Sequence, residues 1–224
     1  MAQLNLWRLK KAELVRMAQT RCKHRHTLLD HPQCYTPVPE RVGFFDIETT
    51  AFDAGFGIML SYAIKVGGEK TILTNCITKR DIDHAKAGDE DARIVAACIE
   101  DLKTFDRVVT HYGSDYRFDL PFIRTRAVSL NLDFPFYGSI KSDDTYSLLK
   151  RKFKLPRNRL ETACRILLGT TEKNHIDPKI WRAAGRGNPK ALSYVLDHNR
   201  RDVRDLEKIY EKIKNFVRAT DTSI

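Results

Sequence analysis

Residues 41–50 read RVGFFDIETT. Val42 to Ile47 is a compact, largely apolar run and reads as a buried strand. Asp46 and Glu48 interrupt its far end at alternate positions. Successive strand side chains point to opposite faces, so these two carboxylates project together. Neighbouring carboxylates repel unless a cation or a proton lies between them. An acidic pair ending an apolar strand is therefore either solvated or a place for a metal ion, and the stretch alone leaves both readings open.

Reading outward, residues 57–66 (GIMLSYAIKV) and 70–76 (KTILTNC) form two more strand patterns, with Gly67 and Gly68 as the hairpin turn between them. Beyond Asp89 the period becomes helical through Leu102, where Ile94, Val95, Cys98, Ile99 and Leu102 recur on one side. Arg107 to Thr110 reads as a short strand. Residues 119–130 read as a helix with Asp119 as N-cap and Pro121 in its first turn. From 142 onward the pattern is mostly helical, near 143–151, 159–168 and 177–184, with a long last helix over 189–217. Upstream, residues 8–20 form a short amphipathic helix pattern, and residues 21–40 are irregular, with Pro37 and Pro39 marking a connector. Three strands, a helix, a strand and then helices imply an α/β layer fold with a mixed sheet over 41–224, behind a small irregular N-terminal extension over 1–40.

Composition narrows the class. Of 224 residues, 42% are apolar, and Gly and Pro number only 11 and 8, which suits one packed domain rather than a disordered chain. No stretch approaches the roughly 18 apolar residues of a membrane span. The start, MAQLNLWRLKKAEL, has no apolar run between its charges and does not read as a secretory signal. Five cysteines, at 22, 34, 76, 98 and 164, cannot all pair within the chain, so a reduced, cytoplasmic setting is expected. Cys76, Cys98 and Cys164 lie in apolar surroundings and read as core thiols. The net charge of +10 is unevenly spread: +4 over residues 1–40, −3 over 41–140 and +9 over 141–224. Basic ends suit a phosphate backbone and an acidic middle suits metal ions, although a solvated lysine-rich surface has the same composition.

Three further stretches carry chemistry. YRFDLPFIRTRA places Asp119 at a helix start among Phe118, Leu120, Phe122 and Ile123. DHNRRDVRDLEKIY places His198 and Asp202 four apart on one helical face, with Asp202 at the edge of the Val203, Leu206 and Ile213 stripe. Asp205, Glu207 and Glu211 read as solvated partners of nearby Arg and Lys. KRKFKLPRNR, residues 150–159, holds six basic residues (Lys150, Arg151, Lys152, Lys154, Arg157 and Arg159) interleaved with Phe153 and Leu155. Such a run fits a nucleic-acid backbone or a charged loop.

The order Asp-x-Glu on a strand, Phe-Asp at a helix start and His-x-x-x-Asp on a C-terminal helix resembles the DEDD 3′–5′ exonucleases, which have a ribonuclease H-like fold. The resemblance covers residues 41–217. It is nearest to the predicted exonucleases related to the proofreading domain of family B DNA polymerases: FFDIETT is similar to their first motif, HYGSDYRFDLPFIRTRA to the second, LDHNRRDV to the third and RLETACRILLG to their linking helix. The resemblance implies a mixed β-sheet flanked by helices. It also implies that Asp46, Glu48, Asp119 and Asp202 hold two Mg²⁺ or Mn²⁺ ions, with His198 as the general base. Hard cations favour carboxylate oxygens, and imidazole titrates near neutrality. The chain departs from the family in one respect: members with a catalytic histidine usually have four residues between His and Asp, whereas here the spacing is the three of the tyrosine group. Tyr194, one turn before His198, is the other candidate base. Asp143 and Asp144 are candidates for a supporting acid or a helix cap, and Arg117 and Arg124 for phosphate contacts.

The expected activity is metal-dependent 3′–5′ exonucleolytic hydrolysis of nucleic acid, single-stranded DNA first and RNA second. The alternatives are a structure-selective endonuclease of the same fold and a non-catalytic nucleic-acid-binding adaptor. Residues 21–35, RCKHRHTLLDHPQCY, add Cys22, His24, His26, His31 and Cys34 within a short irregular stretch. Cys22, His24, His31 and Cys34 could make a tetrahedral zinc site, although the spacing matches no standard finger, and the histidines could instead add to a phosphate-binding surface.

Overall fold

A computed structural model describes residues 15–16, 18–22, 25–27, 40–114, 117–172, 174–217 and 224. The chain divides into two compact units, Met1–Glu40 and Arg41–Ile224. In the first, Val15, Arg16, Ala18 and Gln19 are helical, and Thr20 ends the helix by donating both its N–H and its hydroxyl to Arg16 O. Cys22 and His26 then close a turn through Cys22 N–H to His26 O at 3.0 Å. His24, His31 and Cys34 lie outside the described residues.

The second unit is built on a five-stranded sheet. The strands are β1 (Val42–Thr49), β2 (Met59–Val66), β3 (Ile72–Cys76), β4 (Arg107–Thr110) and β5 (Lys141–Asp144), in the order β3-β2-β1-β4-β5. β1, β2 and β3 pair antiparallel through short connections, and β4 and β5 add in parallel to the other edge. The Gly67–Gly68 turn works because Gly68 adopts φ +73°, a conformation that favours glycine. The helices are α1 (Lys79–His84), α2 (Ala92–Leu102), α3 (Asp119–Ser129), α4 (Thr145–Lys152), α5 (Leu160–Leu168), α6 (Pro178–Ala184) and α7 (Pro189–Ile213), which runs into a 3₁₀ turn at Lys214–Phe216. No described helix is long and apolar enough to cross a membrane.

β1 sits at the centre and divides its side chains between two cores. Phe45 and Ile47 join one core with Ile94, Val95, Leu120 and Ile123. Phe44 joins the other with Ala63, Val203, Leu206 and Ile209. By alternation Asp46 and Glu48 share the Phe44 face, where α7 crosses β1 and β2. Cys98 and Cys164 are buried and Cys76 is half-buried. Burial pushes the Cys76 thiol up to about 11, so it stays protonated at neutral pH.

Several elements differ from the sequence reading. Residues 141–144 (KSDD) form a strand rather than a helix start, because the outer edge of β4 offers a parallel ladder from Arg107 to Thr110. α1, which periodicity did not single out, is fixed by a Thr78–Asp81 capping box and by Arg93, whose guanidinium donates to Asp81 at 2.7 Å. Asp205 and Glu207 are not solvated charges. Asp205 is buried and accepts from Thr171 Oγ1 at 2.6 Å and Glu172 N–H at 2.8 Å, while Glu207 pairs with buried Lys65 at 3.0 Å.

Inside the first core, the guanidinium of Arg126 hydrogen-bonds both oxygens of Asp91, and Asp91 also accepts the Met59 N–H at 2.8 Å. Both side chains are buried. Arg126→Met leaves a buried carboxylate without its cation and is expected to cost about 3–5 kcal/mol. Urea denaturation measures this, and adding Asp91→Asn to the same protein recovers part of the loss.

Asp81 gives a pH signature. The Arg93 hydrogen bond is the main cause holding its carboxyl at about 2, below the ordinary carboxylate value of about 3.9. A depressed folded pKa stabilises the fold above the unfolded value and loses that contribution as pH falls through the folded one. The gap in urea midpoint between wild type and Asp81→Asn is therefore full above about pH 4 and closes towards pH 2.

Candidate metal centre

The site starts from β1. Opposite Asp46 and Glu48 on β2 stand Ala63 and Ser61, two small residues that let α7 approach the carboxylates. The ladder slips after Glu48: Glu48 opposes Ser61 but Thr49 opposes Met59, leaving Leu60 over as a β-bulge. The bulge bends the pair where the acidic motif ends.

α7 brings a row of buried polar side chains: His198, Asn199, Asp202 and Asp205. His198 Nε2 lies 3.6 Å from Glu48 Oε1 and 3.7 Å from Asp202 Oδ2. The ligating atoms of Glu48, His198 and Asp202 all fall within 4.8 Å of one another. The other ring nitrogen, Nδ1, is 2.7 Å from Asn174 Oδ1, and the Asn174 amide nitrogen donates to the Tyr194 hydroxyl at 3.0 Å. With its nitrogen donating, the Asn174 oxygen is the acceptor for Nδ1–H, which leaves Nε2 as the atom facing the carboxylates. Asn174 thus lies between His198 and Tyr194.

Asn199 was not singled out from the sequence. Its Nδ2 donates to Asp46 Oδ2 at 2.5 Å, and its Oδ1 accepts from Ser61 Oγ at 3.4 Å. It is fully buried, so both polar ends are used inside the protein. The only sequence signal was its position between His198 and Asp202.

Asp119 arrives from the other flank. It is the first residue of α3, and Phe118 holds the N-cap position, so Asp119 is not the cap its sequence suggested. β4 pairs with β1 only at Val42–Phe44, and beyond that point Asp119 Oδ1 accepts the Ile47 N–H at 3.0 Å. The carboxylate is spent on β1 instead of on its own helix. A Cβ on Gly113 would lie 2.3 Å from Asp119 Oδ2, so the approach requires glycine there.

The supporting acids resolve differently from each other. Asp144 caps α4 through the Ser147 N–H at 2.8 Å, accepts the Gly113 N–H at 3.0 Å and pairs with Arg117 at 2.9 Å. Arg117 also stacks over Tyr112 and Tyr146. Asp143 accepts from Arg107 at 3.0 Å and from the Tyr210 hydroxyl at 2.8 Å, beside the second core. Arg124 Nε is buried without a hydrogen-bond partner among the described residues. Lys150, Arg151, Lys152, Lys154, Arg157 and Arg159 are exposed, from the last turn of α4 through the loop to α5, where Phe153 and Leu155 pack on the second core.

These elements match a known family. The family model of the RNase H superfamily covers residues 43–214, from the strand carrying Asp46 and Glu48 to the end of the helix carrying His198 and Asp202. The chain belongs to the RNase H superfamily. No curated protein gives a significant match. RNase H superfamily membership points to metal-dependent hydrolysis of nucleic acid, and the mixed sheet flanked by helices is the fold that the sequence led us to expect. The donor set fits such ions. Hard ions favour carboxylate oxygens, and the carboxylates of Glu48 and Asp202 lie within 4.8 Å of one another with the His198 imidazole beside them.

If these groups hold metal, displacing Asp119 should weaken binding without touching a ligand directly. Gly113→Ala forces the Asp119 carboxylate to move and is expected to cost about 1–3 kcal/mol by overpacking. In wild type, Mn²⁺ should raise the thermal midpoint by mass action. In Gly113→Ala that rise should shrink, which a titration followed by differential scanning fluorimetry measures.

Proposed function

We propose that the protein is a metal-dependent 3′–5′ exonuclease acting on single-stranded nucleic acid, DNA before RNA. The observation that carries this reading is the convergence of Glu48, His198 and Asp202, with Asp46 tied to α7 by Asn199 and Asp119 tied to β1 by the Ile47 N–H.

Asp46, Glu48, Asp119 and Asp202 would hold two Mg²⁺ or Mn²⁺ ions. Bound there, the ions would lower the pKa of a water and offset the charge that gathers on the scissile phosphate. His198 accepts the water's proton at Nε2 as the water oxygen attacks phosphorus. Its Nδ1–H stays on Asn174 Oδ1, which fixes the tautomer and steadies the imidazolium that results. The P–O3′ bond breaks, leaving a 3′-hydroxyl on the shortened strand and releasing a nucleoside 5′-monophosphate. Asn199 keeps Asp46 aimed and takes no proton. Arg117, held by Asp144, steadies the loop that carries Gly113 and Asp119. The basic run at 150–159 would meet the strand farther out, since α4 carries it about 12 Å from the Asp144 cap. The four residues Cys22, His24, His31 and Cys34 would hold one structural Zn²⁺, which metal analysis of the untreated protein tests.

Asp46→Ala and Asp202→Ala are expected to reduce Mg²⁺- or Mn²⁺-dependent degradation to background with unchanged far-ultraviolet circular dichroism. His198→Ala is expected to lower kcat about 10²–10⁴-fold. A 5′-labelled strand should yield a descending ladder and a 3′-labelled strand only labelled mononucleotide. Internal fragments from both labels would replace the exonuclease reading with an endonuclease, and no cleavage of DNA or RNA would replace it with a binding adaptor.

A further inference from the structure

The connection from β1 to β2, residues 50–58 (TAFDAGFGI), holds two phenylalanine rings in solvent: Phe52 is 90% and Phe56 91% exposed. The loop is tightly built. The Thr50 N–H donates to Ile58 O at 3.0 Å, the Thr50 hydroxyl accepts the Ile58 N–H at 3.0 Å, and Asp53 O accepts the N–H groups of Phe56 and Gly57. Gly57 fits closely: a Cβ there would sit 3.0 Å from both Ala51 O and Asp53 O. A hydrogen-bonded loop that keeps two large rings wet presents them to something.

Facing Phe56 across a cleft of about 500 Å³ are Trp181 and Arg182 of α6 and, just beyond it, Arg186. Arg182 and Arg186 are exposed and make no ion pair among the described residues. The other charged groups of the lining are committed elsewhere: Arg126 to Asp91 and the Gly88 carbonyl, Glu90 to the Gly88 N–H. The cleft therefore offers an aromatic face and two available cations.

Its lining starts close to the acidic end of β1. Thr50, part of its lining, lies two residues beyond Glu48. Phe52 stands beside the cleft rather than in its lining, and it meets the ring of Phe118 edge-on at 5.5 Å; Phe118 immediately precedes Asp119.

We infer that this cleft is the track of the unpaired strand: Phe56 and Phe52 stack bases, Arg182 and Arg186 hold the phosphates between them, and the chain passes from there to the carboxylates. The inference rests on the nuclease reading for what happens at the end of the track. Base faces are open only in a single strand, because in a duplex neighbouring pairs cover them. Aromatic platforms beside cations bind single strands with little sequence preference. The cleft therefore selects for unpaired substrate. It places the cations that hold the strand next to the stacked bases on α6 and the turn that follows, and leaves the basic run at 150–159 the outer part of the strand.

The test is binding of fluorescein-labelled oligothymidylate, by fluorescence anisotropy, to Asp202→Asn protein, in which turnover is removed. On that background Phe52→Ala and Phe56→Ala should each weaken binding about tenfold. Arg182→Ala and Arg186→Ala should each lower the slope of log affinity against log salt by about 0.7. Unlabelled duplex should fail to compete. Phe136→Ala removes an exposed ring outside the cleft and should bind as the background does. All four substituted groups are on the surface, and unchanged thermal midpoints confirm folding. Unchanged affinity in the four cleft variants, loss confined to a Lys150→Ala, Arg151→Ala, Lys152→Ala triple, or equal competition by duplex overturns the inference. The nuclease reading fails separately. If wild type cleaves strands while cleft variants bind normally, only the cleft falls. If the cleft binds as expected but wild type with Mg²⁺ or Mn²⁺ never cleaves, only the nuclease falls. If wild type neither binds nor cleaves, both fall.

Discussion

Asp119 Oδ1 accepts the N–H of Ile47, the residue between Asp46 and Glu48, and through that bond two segments 72 residues apart share one location. The bond is possible because β4 stops pairing with β1 after Phe44, which leaves the next stretch of β1 to find partners outside the ladder. It also needs Gly113, since any larger residue would collide with the carboxylate. From this junction the rest follows: α3 starts where Asp119 is anchored, β5 and α4 buttress the Gly113 loop through Asp144, and α7 closes over the Phe44 face of β1.

Closing α7 over that face buries polar groups that a stable core would exclude. His198, Asn199, Asp202 and Asp205 occupy successive inward positions of one helix. Each buried polar group costs free energy unless it is hydrogen-bonded, and carboxylates gathered together cost more. The fold offsets this with a firmly packed frame: apolar side chains of α7 reach both cores, at Leu192 and Val195 and again at Val203, Leu206 and Ile209. The cost is local and the support is global.

What was legible in the sequence followed the strength of the periodic signal. β1 and β2, the α2 stripe and the long last helix were readable because burial on a strand or helix face imposes a period. β5 was not: four residues of sequence KSDD have no apolar pattern, and only the free edge of β4 makes them a strand. α1 was invisible for a similar reason, being six residues held by caps and one arginine with nothing buried. At the site, His198 and Asp202 were found because four-residue spacing places them together. Asn199 was missed because its role depends on Ser61 and Asp46, more than a hundred residues away. Asp119 was read as a cap because sequence cannot tell whether a carboxylate turns to its own helix or to a neighbouring strand. Phe52 and Phe56 were passed over because exposure is a tertiary fact.

The link between Asp46 and Asn199 spans 153 residues of chain. A polypeptide that emerges from its N-terminus makes β1 first and α7 nearly last. Until α7 is out, the two acids of β1 have neither His198 nor Asp202 beside them. The donor set is thus divided between the beginning and the end of the domain, and a partly synthesised or truncated chain carries only fragments of it. On the nuclease reading proposed above, the site would be complete only once the last helix is made.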